Sequence, residues 1–424
     1  MEVILNAQNQ SAQNLFDKLT INCGESNSSA DYISWDLPIE QFLLKSDNFD
    51  INVIGELNHY DGTALLFKSK LINAFINRYP KTILLMERPF TSAAVLDERF
   101  RLGIDSTYIP FTYEFGGGMI ISGSKEALAA AIQHKYEIPD SSFIFGGMDT
   151  EDTSLYTGIF LDSLILQLEK SDSEVCQKAI PAVHILKKNH QYESWPRKKA
   201  NSYWRKLDDK LHYEAVQRVL ACKCLSPIQI QALKSDELFH TFIKQWFSKS
   251  RKHPFYGSYV SIIRDSIMAE NVAWYKSQFP DHKILVSVSN YHASKTFTNI
   301  HKKYNEQGKP MVYYLEKKFP EKVYTVPIIR FKGASDQWKY KDQYYEEVLS
   351  KPDYSIENYF SKKCKTVGYI DISKLKRNEK FWLHATFSNG YNYNWQNSYD
   401  GLIFIYNMKT DTKRSIRGLS IFPN

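Results

Sequence analysis

The first strongly apolar run, Ile51-Asn52-Val53-Ile54, stops abruptly at Gly55-Glu56-Leu57-Asn58-His59-Tyr60-Asp61-Gly62. A buried strand over Ile51–Glu56 is followed by apolar positions at helical spacing over Thr63–Arg78. The alternation continues with a strand over Thr82–Glu87, a helix over Thr91–Leu102, a helix over Lys125–His134 and a strand over Ser142–Asp149. Strands alternating with helices at this spacing predict a parallel sheet covered on both faces, an α/β architecture. From 151 to 259 the pattern turns helical, with long amphipathic stretches over Ala200–Leu225 and Ser235–Ser250. Tyr203, Trp204, Leu207 and Leu211 form one stripe there, which reads as core. The alternation resumes with a helix over Val260–Gln278 and a strand over Lys283–Asn290. The last third reads as strands: Met311–Glu316, Val323–Phe331, Thr366–Ile372, Phe381–Phe387 and Gly401–Tyr406.

This pattern divides the chain into an N-terminal arm (1–50), a discontinuous α/β core (51–150 and 260–424) and a helical insertion (151–259) placed to wall a cleft. The arm is polar and carries a breaker cluster at Gly24–Ala30, but Trp35 and Phe42-Leu43-Leu44 predict that it packs on the core.

Charge and cysteine content narrow the function classes. The formal net charge is +7, spread over 54 basic and 47 acidic residues. No Arg-rich block accompanies it, so a nucleic-acid partner is not expected. Arg197-Lys198-Lys199 and Lys362-Lys363-Cys364-Lys365 read as solvated surface. No run is long and apolar enough to span a membrane, and no basic start followed by an apolar stretch marks a leader, so a cytoplasmic location is expected. The five cysteines form no CxxC pair, and Cys222-Lys223-Cys224 lacks partners at zinc spacing. Neither a disulfide framework nor a metal clip is therefore expected.

Polar groups follow several predicted strands directly: Glu56 and His59, then Glu87, then Asp149, then Asn290 and His292. Ligands of open α/β sheets bind at the carboxyl ends of strands, so adjacent strands would bring these groups to one rim. On the helix over Val260–Gln278, Arg264, Met268 and Asn271 share a face. A cationic group on a core-facing stripe needs a partner, and the strand-end carboxylates offer one to Arg264. Each residue also has a plainer reading. His59 could cap the next helix, Glu56 and Glu87 could be neutralised by Arg88 or Arg264, and His292 could enter a helix. Asp149 could be a helix N-cap, and Lys68 could lie on a solvated helix face.

The Gly-Glu-x-x-His motif, a glutamate 31 residues later, the Arg-Asp-x-x-Met-x-x-Asn helix and a strand closing on Asn-x-His together resemble the erythromycin esterase family. Tyr399-Asp400-Gly401-Leu402-Ile403-Phe404-Ile405 is similar to the family's closing strand. The resemblance implies a three-layer α/β/α core with a mainly parallel sheet and a helical insertion. It implies hydrolysis of an ester or lactone by a water that His59 activates, with Glu56 and Glu87 as partner carboxylates and no essential metal. His292 and Arg264 would be cationic donors to the developing oxyanion, and Lys68, Asn290, Asn271 and Asp149 would contact a small-molecule substrate. The chain departs from the family where Ser289 replaces a histidine, where Tyr60 follows His59 in place of glycine, and where Lys68 replaces an arginine. These departures point to a substrate other than a macrolide, or to a member that binds without turnover. Glu56, His59, Glu87 and His292 would also suit a divalent ion, although no His-Glu-x-x-His or His-x-His spacing is present and no cofactor is expected.

Overall fold

The computed structural model describes residues 10–24, 35–57, 62–102, 135–136, 142–149, 155–190, 208–248, 256–296, 309–333, 352–386 and 389–408. His59, Tyr60, the helix expected at Lys125–His134, the aromatic pair Tyr203 and Trp204, Leu207 and the basic triplet at 197–199 lie outside these residues.

The expected parallel sheet is present. Its strands are β2 (Ile51–Glu56), β3 (Thr82–Pro89), β4 (Ile144–Asp149), β5 (Lys283–Ser289) and β6 (Val323–Val326), in the order β4-β3-β5-β2-β6. Every neighbouring pair is parallel. All six residues of β2 and of β4 are buried, as expected of parallel strands covered on both faces. Helices α2 (Gly62–Arg78), α3 (Phe90–Arg101) and α8 (Tyr256–Gln278) pack against it, α2 on β2 and β5, α3 and α8 on β4. A second, mixed sheet runs β1 (Ile21–Cys23), β8 (Val367–Asp371), β11 (Gly401–Met408) and β7 (Ile328–Gly333), and β9 (Phe381–Thr386) pairs with β10 (Asn389–Tyr393) as a separate ribbon.

The apolar run expected as one strand over 323–331 is two strands in two sheets. Proline cannot donate a ladder hydrogen bond, and the chain changes sheet at Pro327: Val326 pairs with Ile54, whereas Ile328 pairs with Ile403. The strand expected at Met311–Glu316 is instead helix α9 (Met311–Lys318). Pro310 precedes it in extended conformation, and Met311, Val312 and Leu315 bury one helical face. The aromatic pair Tyr313-Tyr314 imitates strand composition without strand periodicity.

The N-terminal segment does pack on the rest. Helix α1 (Asp36–Ser46) buries Ile39, Phe42 and Leu43, and β1 adds an antiparallel edge to β8. That pairing sets Cys23 opposite Gly368 and beside Cys364, which ends helix α10 (Ile356–Lys363). The two cysteines form a disulfide between residues 341 apart in sequence. The expectation that no disulfide forms is therefore corrected; sequence spacing carries no sign of a bond made by strand pairing. Lys362 and Lys363 are exposed around it, as expected.

Between β4 and α8 the described chain is helical: α4 (Leu155–Glu169), α5 (Glu174–His190), α6 (Asp209–Leu220) and α7 (Pro227–Ser248). The expected core stripe through Leu211 is displaced by one position. Leu211 is 44% exposed, while His212, Ala215, Val216 and Val219 are buried. His212 belongs to a buried polar cluster at the meeting of three helices. Asp236 on α7 receives His190 Nε2 from α5 at 2.9 Å and lies 3.4 Å from His212 Nε2. The ring of His240, one turn beyond Asp236, stacks on His212 at 3.4 Å between centroids.

Candidate active site

Four neighbouring parallel strands end at one rim of the sheet, and each presents a polar group there. Glu56 closes β2, Glu87 lies near the end of β3, Asp149 closes β4 and Ser289 closes β5, directly opposite Glu56 in the β2–β5 register. Helix α8 carries Arg264 to the same rim. Its Nε donates to Asp149 Oδ1 at 2.9 Å, while Nη2 contacts Asp149 Oδ2 and also donates to Glu87 Oε1 at 3.0 Å. The fork of a guanidinium suits this double engagement, because its donors are fixed in one plane.

Glu87 is the hub. Besides Arg264, its Oε1 lies 3.2 Å from His292 Nε2, and its Oε2 accepts the backbone N–H of Ser289 at 2.9 Å. The other ring nitrogen of His292, Nδ1, meets Asp265 Oδ1 at 2.6 Å. Asp265, fully buried on α8 next to Arg264, also accepts the backbone N–H of Met311 at 2.7 Å, where α9 begins. Burial opposes charge on His292, but Asp265 and then Glu87 outweigh it and raise its pKa to about 10. The imidazole is therefore a held cation at neutral pH, and both nitrogens already face carboxylates. Signs alternate along this path from Asp265 through His292, Glu87 and Arg264 to Asp149.

Glu56 makes a second pair beside it. Lys68, in the second turn of α2, contacts Glu56 Oε2 and donates to Val288 O at 3.1 Å. It is 3% exposed, so the solvated-face reading of Lys68 does not hold. Burial pushes the Lys68 pKa down to about 7, with Glu87 pulling the other way. The glycine before Glu56 has a clear cause. A Cβ on Gly55 would come within 2.8 Å of the Asn290 Cα, so only glycine lets the β5 end approach this closely.

The two asparagines are placed differently from a substrate contact. Asn290 is buried, donates from Nδ2 to Ile328 O at 2.8 Å and accepts from Ile328 N at 3.2 Å, bridging the joint between the two sheets. Its own N–H donates to Glu56 O at 2.8 Å, and Tyr399 donates to its carbonyl at 2.9 Å. Asn271 is also buried. It donates to Met148 O at 2.8 Å and accepts from Gln231 and Ser235 of α7, both at 2.9 Å. Both asparagines hold backbone around the rim. Asp149 serves Arg264 from the last position of a strand.

Exposure separates the groups that can meet a substrate from those behind them. The Arg264 side chain is 22% exposed and Glu87 12%, whereas Glu56, Lys68, Asp149 and Asp265 are at 5% or below. A carboxylate and a guanidinium facing solvent at a strand-end rim can orient a water and stabilise a developing oxyanion. Among the described residues, no group of three or more His, Cys, Asp or Glu side chains is gathered as a metal would require. Glu56 is turned to Lys68, and His292 lies between two carboxylates.

Comparison with known proteins bears on this geometry. Residues 136–408, more than half of the chain, match the family described as erythromycin esterase. The match includes Asp149, Arg264, Asp265 and His292 and begins beyond Glu56, Lys68 and Glu87. None of the curated proteins matches significantly. Three solved structures share the fold over nearly the whole chain. A Bacillus cereus protein superposes with a TM-score of 0.72 at 16% identity, covering 95% of this chain and 98% of its own. A succinoglycan biosynthesis protein gives 0.71 at 13% identity, covering 96% and 98%. A mutant erythromycin esterase in its open conformation gives 0.65 at 15% identity, covering 93% and 99%.

Proposed function

Since the chain belongs to the erythromycin esterase family, we propose that it is a hydrolase of ester or lactone bonds whose reaction centre is the rim around Glu87. His59 takes a proton from water, and the resulting hydroxide attacks the substrate carbonyl. The C–O bond breaks, and the alkoxide leaves with a proton returned from His59, so one water yields one acid and one alcohol. Glu87 orients the water, and Arg264 stabilises the oxyanion. Both face solvent. His292 acts through Glu87, because its nitrogens are committed to Glu87 and Asp265. The observation that carries this reading is the triple engagement of Glu87 by Arg264, His292 and the Ser289 backbone, which fixes a solvent-facing carboxylate at a strand end. Glu56 is held behind it by Lys68.

The substrate is a small molecule and not necessarily a macrolide. Ser289 stands directly beside Glu56 in the sheet register, where the macrolide esterases resembled by this chain carry a histidine. The Glu87 contact uses the backbone of Ser289 and so survives that replacement.

A panel of lactones and aryl esters tests the proposal. Turnover by the wild type and its loss in His59→Ala are expected. Undiminished turnover in His59→Ala overturns the mechanism. Ligand binding with no turnover across the panel would indicate a binding protein. A stoichiometric divalent ion lost in Glu87→Ala would indicate a metal-dependent hydrolase.

A further inference from the structure

The helical segment brings together three thiols that the chain keeps apart. Cys176 lies in the first turn of α5, and Cys222 and Cys224 lie in the turn between α6 and α7. The Cys176 and Cys224 sulfurs are 3.3 Å apart, across 48 residues of sequence. Among the described cysteines these three are free, and only Cys224 is exposed. Cys222 donates to backbone carbonyls, Arg218 O at 3.9 Å and Val175 O at 4.0 Å, and also hydrogen-bonds Cys176.

We propose that Cys176 and Cys224 are a redox modification site, joined as a disulfide when the protein meets a low-molecular-weight disulfide and released again by thiol reductants. Three features favour this pair. The sulfurs need to close by only about 1 Å to reach bonding distance. Cys224 sits in a turn open to solvent, where an external disulfide can reach it. Cys176 lies at a helix N-terminus, where hydroxyls and thiols donate to it. The Ser171 hydroxyl, chiefly, together with Cys224 and Ser173, lowers its pKa to about 7 against the effect of burial. By contrast, burial pushes the Cys222 thiol up to about 12, so it stays protonated and a poor nucleophile.

The exchange balances without a further reactant. Burial and Cys176 raise the Cys224 pKa, so Cys224 attacks the small disulfide as its proton passes to the Cys176 thiolate beside it, forming a mixed disulfide and releasing one small thiol. The Cys176 thiolate then attacks Cys224 Sγ and expels the second small thiol. Two protein thiols are oxidised, one small disulfide is reduced, and the two protons leave on the released thiols. The new bond ties the start of α5 to the α6–α7 turn.

Incubation of the whole protein with oxidised glutathione, alkylation of remaining thiols under denaturing conditions, and peptide mapping without reduction test the proposal. A Cys176–Cys224 cross-linked peptide with Cys222 alkylated is expected. In Cys176→Ser the first step stops at a glutathionyl adduct on Cys224, and Cys222→Ser still forms the internal bond. Full alkylation of both Cys176 and Cys224 in the wild type, or cross-linking through Cys222, overturns it. Because the wild-type map decides by itself, a poorly folding variant does not blur the outcome.

Discussion

Two buried charge clusters in this molecule are built on opposite plans. At the strand-end rim, Asp265, His292, Glu87, Arg264 and Asp149 alternate in sign, and the path ends in groups that touch solvent. In the helical segment, His190 and His212 meet the Asp236 carboxylate and His240 stacks on His212, and all four are at 5% exposure or below. There a ring pair is stacked face to face. His190 and His212 hold the Asp236 carboxyl well below its usual range, overcoming burial. Ion pairing alone therefore does not mark a reaction centre. What separates the two is access: the first has a carboxylate and a guanidinium at a rim where a ligand can arrive, and the second fastens three helices.

Substitutions can break this contrast. The largest effect should come from Glu87→Gln, which removes the hub's charge. It is expected to lower kcat/KM by roughly 10³-fold, about 4 kcal/mol of transition-state stabilisation, as read by steady-state kinetics. Next is Asp236→Asn, expected to cost about 3 kcal/mol in denaturant unfolding while kcat changes little, because it leaves buried imidazoles without their carboxylate. If Asp236→Asn instead reduced kcat as strongly as Glu87→Gln, the two clusters would be one functional unit.

His292 sharpens the comparison through pH. Its folded pKa of about 10 lies above the ordinary 6.5, so its contribution is complete below 6.5 and is lost as pH rises through 10. Relative to His292→Gln, the wild-type unfolding free energy should fall by at most about 5 kcal/mol across that window, against the opposing rise that Lys68, with its pKa lowered to about 7, gives to both proteins. A decline of equal size in His292→Gln would assign the pH dependence elsewhere. For Asp236, whose folded pKa is lowered, the sign is reversed: its contribution is present above 3.8 and is lost as pH falls below it. The smallest effect should be Lys68→Arg. The Glu56 contact persists and the charge becomes permanent, so kcat/KM is expected to change by about threefold or less.

Much of the rim could be read from the chain because each of its strand-end groups follows an apolar run directly. Glu56, Glu87 and Asp149 all appear that way, and Arg264 finds the carboxylates that its place on a buried helix requires. Asp265 stands in the Arg-Asp-x-x-Met-x-x-Asn motif, but its role was not readable. An acid in mid-helix ordinarily marks the solvated face, and nothing local reveals that His292 and the start of α9 close over it. Asn271 shares Arg264's face but turns to Gln231 and Ser235, partners supplied by a helix whose packing no periodicity encodes. The imidazole cluster stayed hidden for the same reason: its members come from three helices, and each alone resembles an ordinary buried histidine. Local patterns thus disclose what a single strand or helix presents, whereas cross-element pairs emerge only on assembly.

The disulfide between Cys23 and Cys364 makes the intervening chain a covalent ring. A single proteolytic cut anywhere inside that ring opens it without releasing a fragment. Under non-reducing electrophoresis such a nicked protein would keep the full mass in one band, and only reduction would separate its two pieces. Protease resistance judged on non-reducing gels would therefore overstate how intact this backbone is, and the surface loops between the two cysteines can be cut without the protein coming apart.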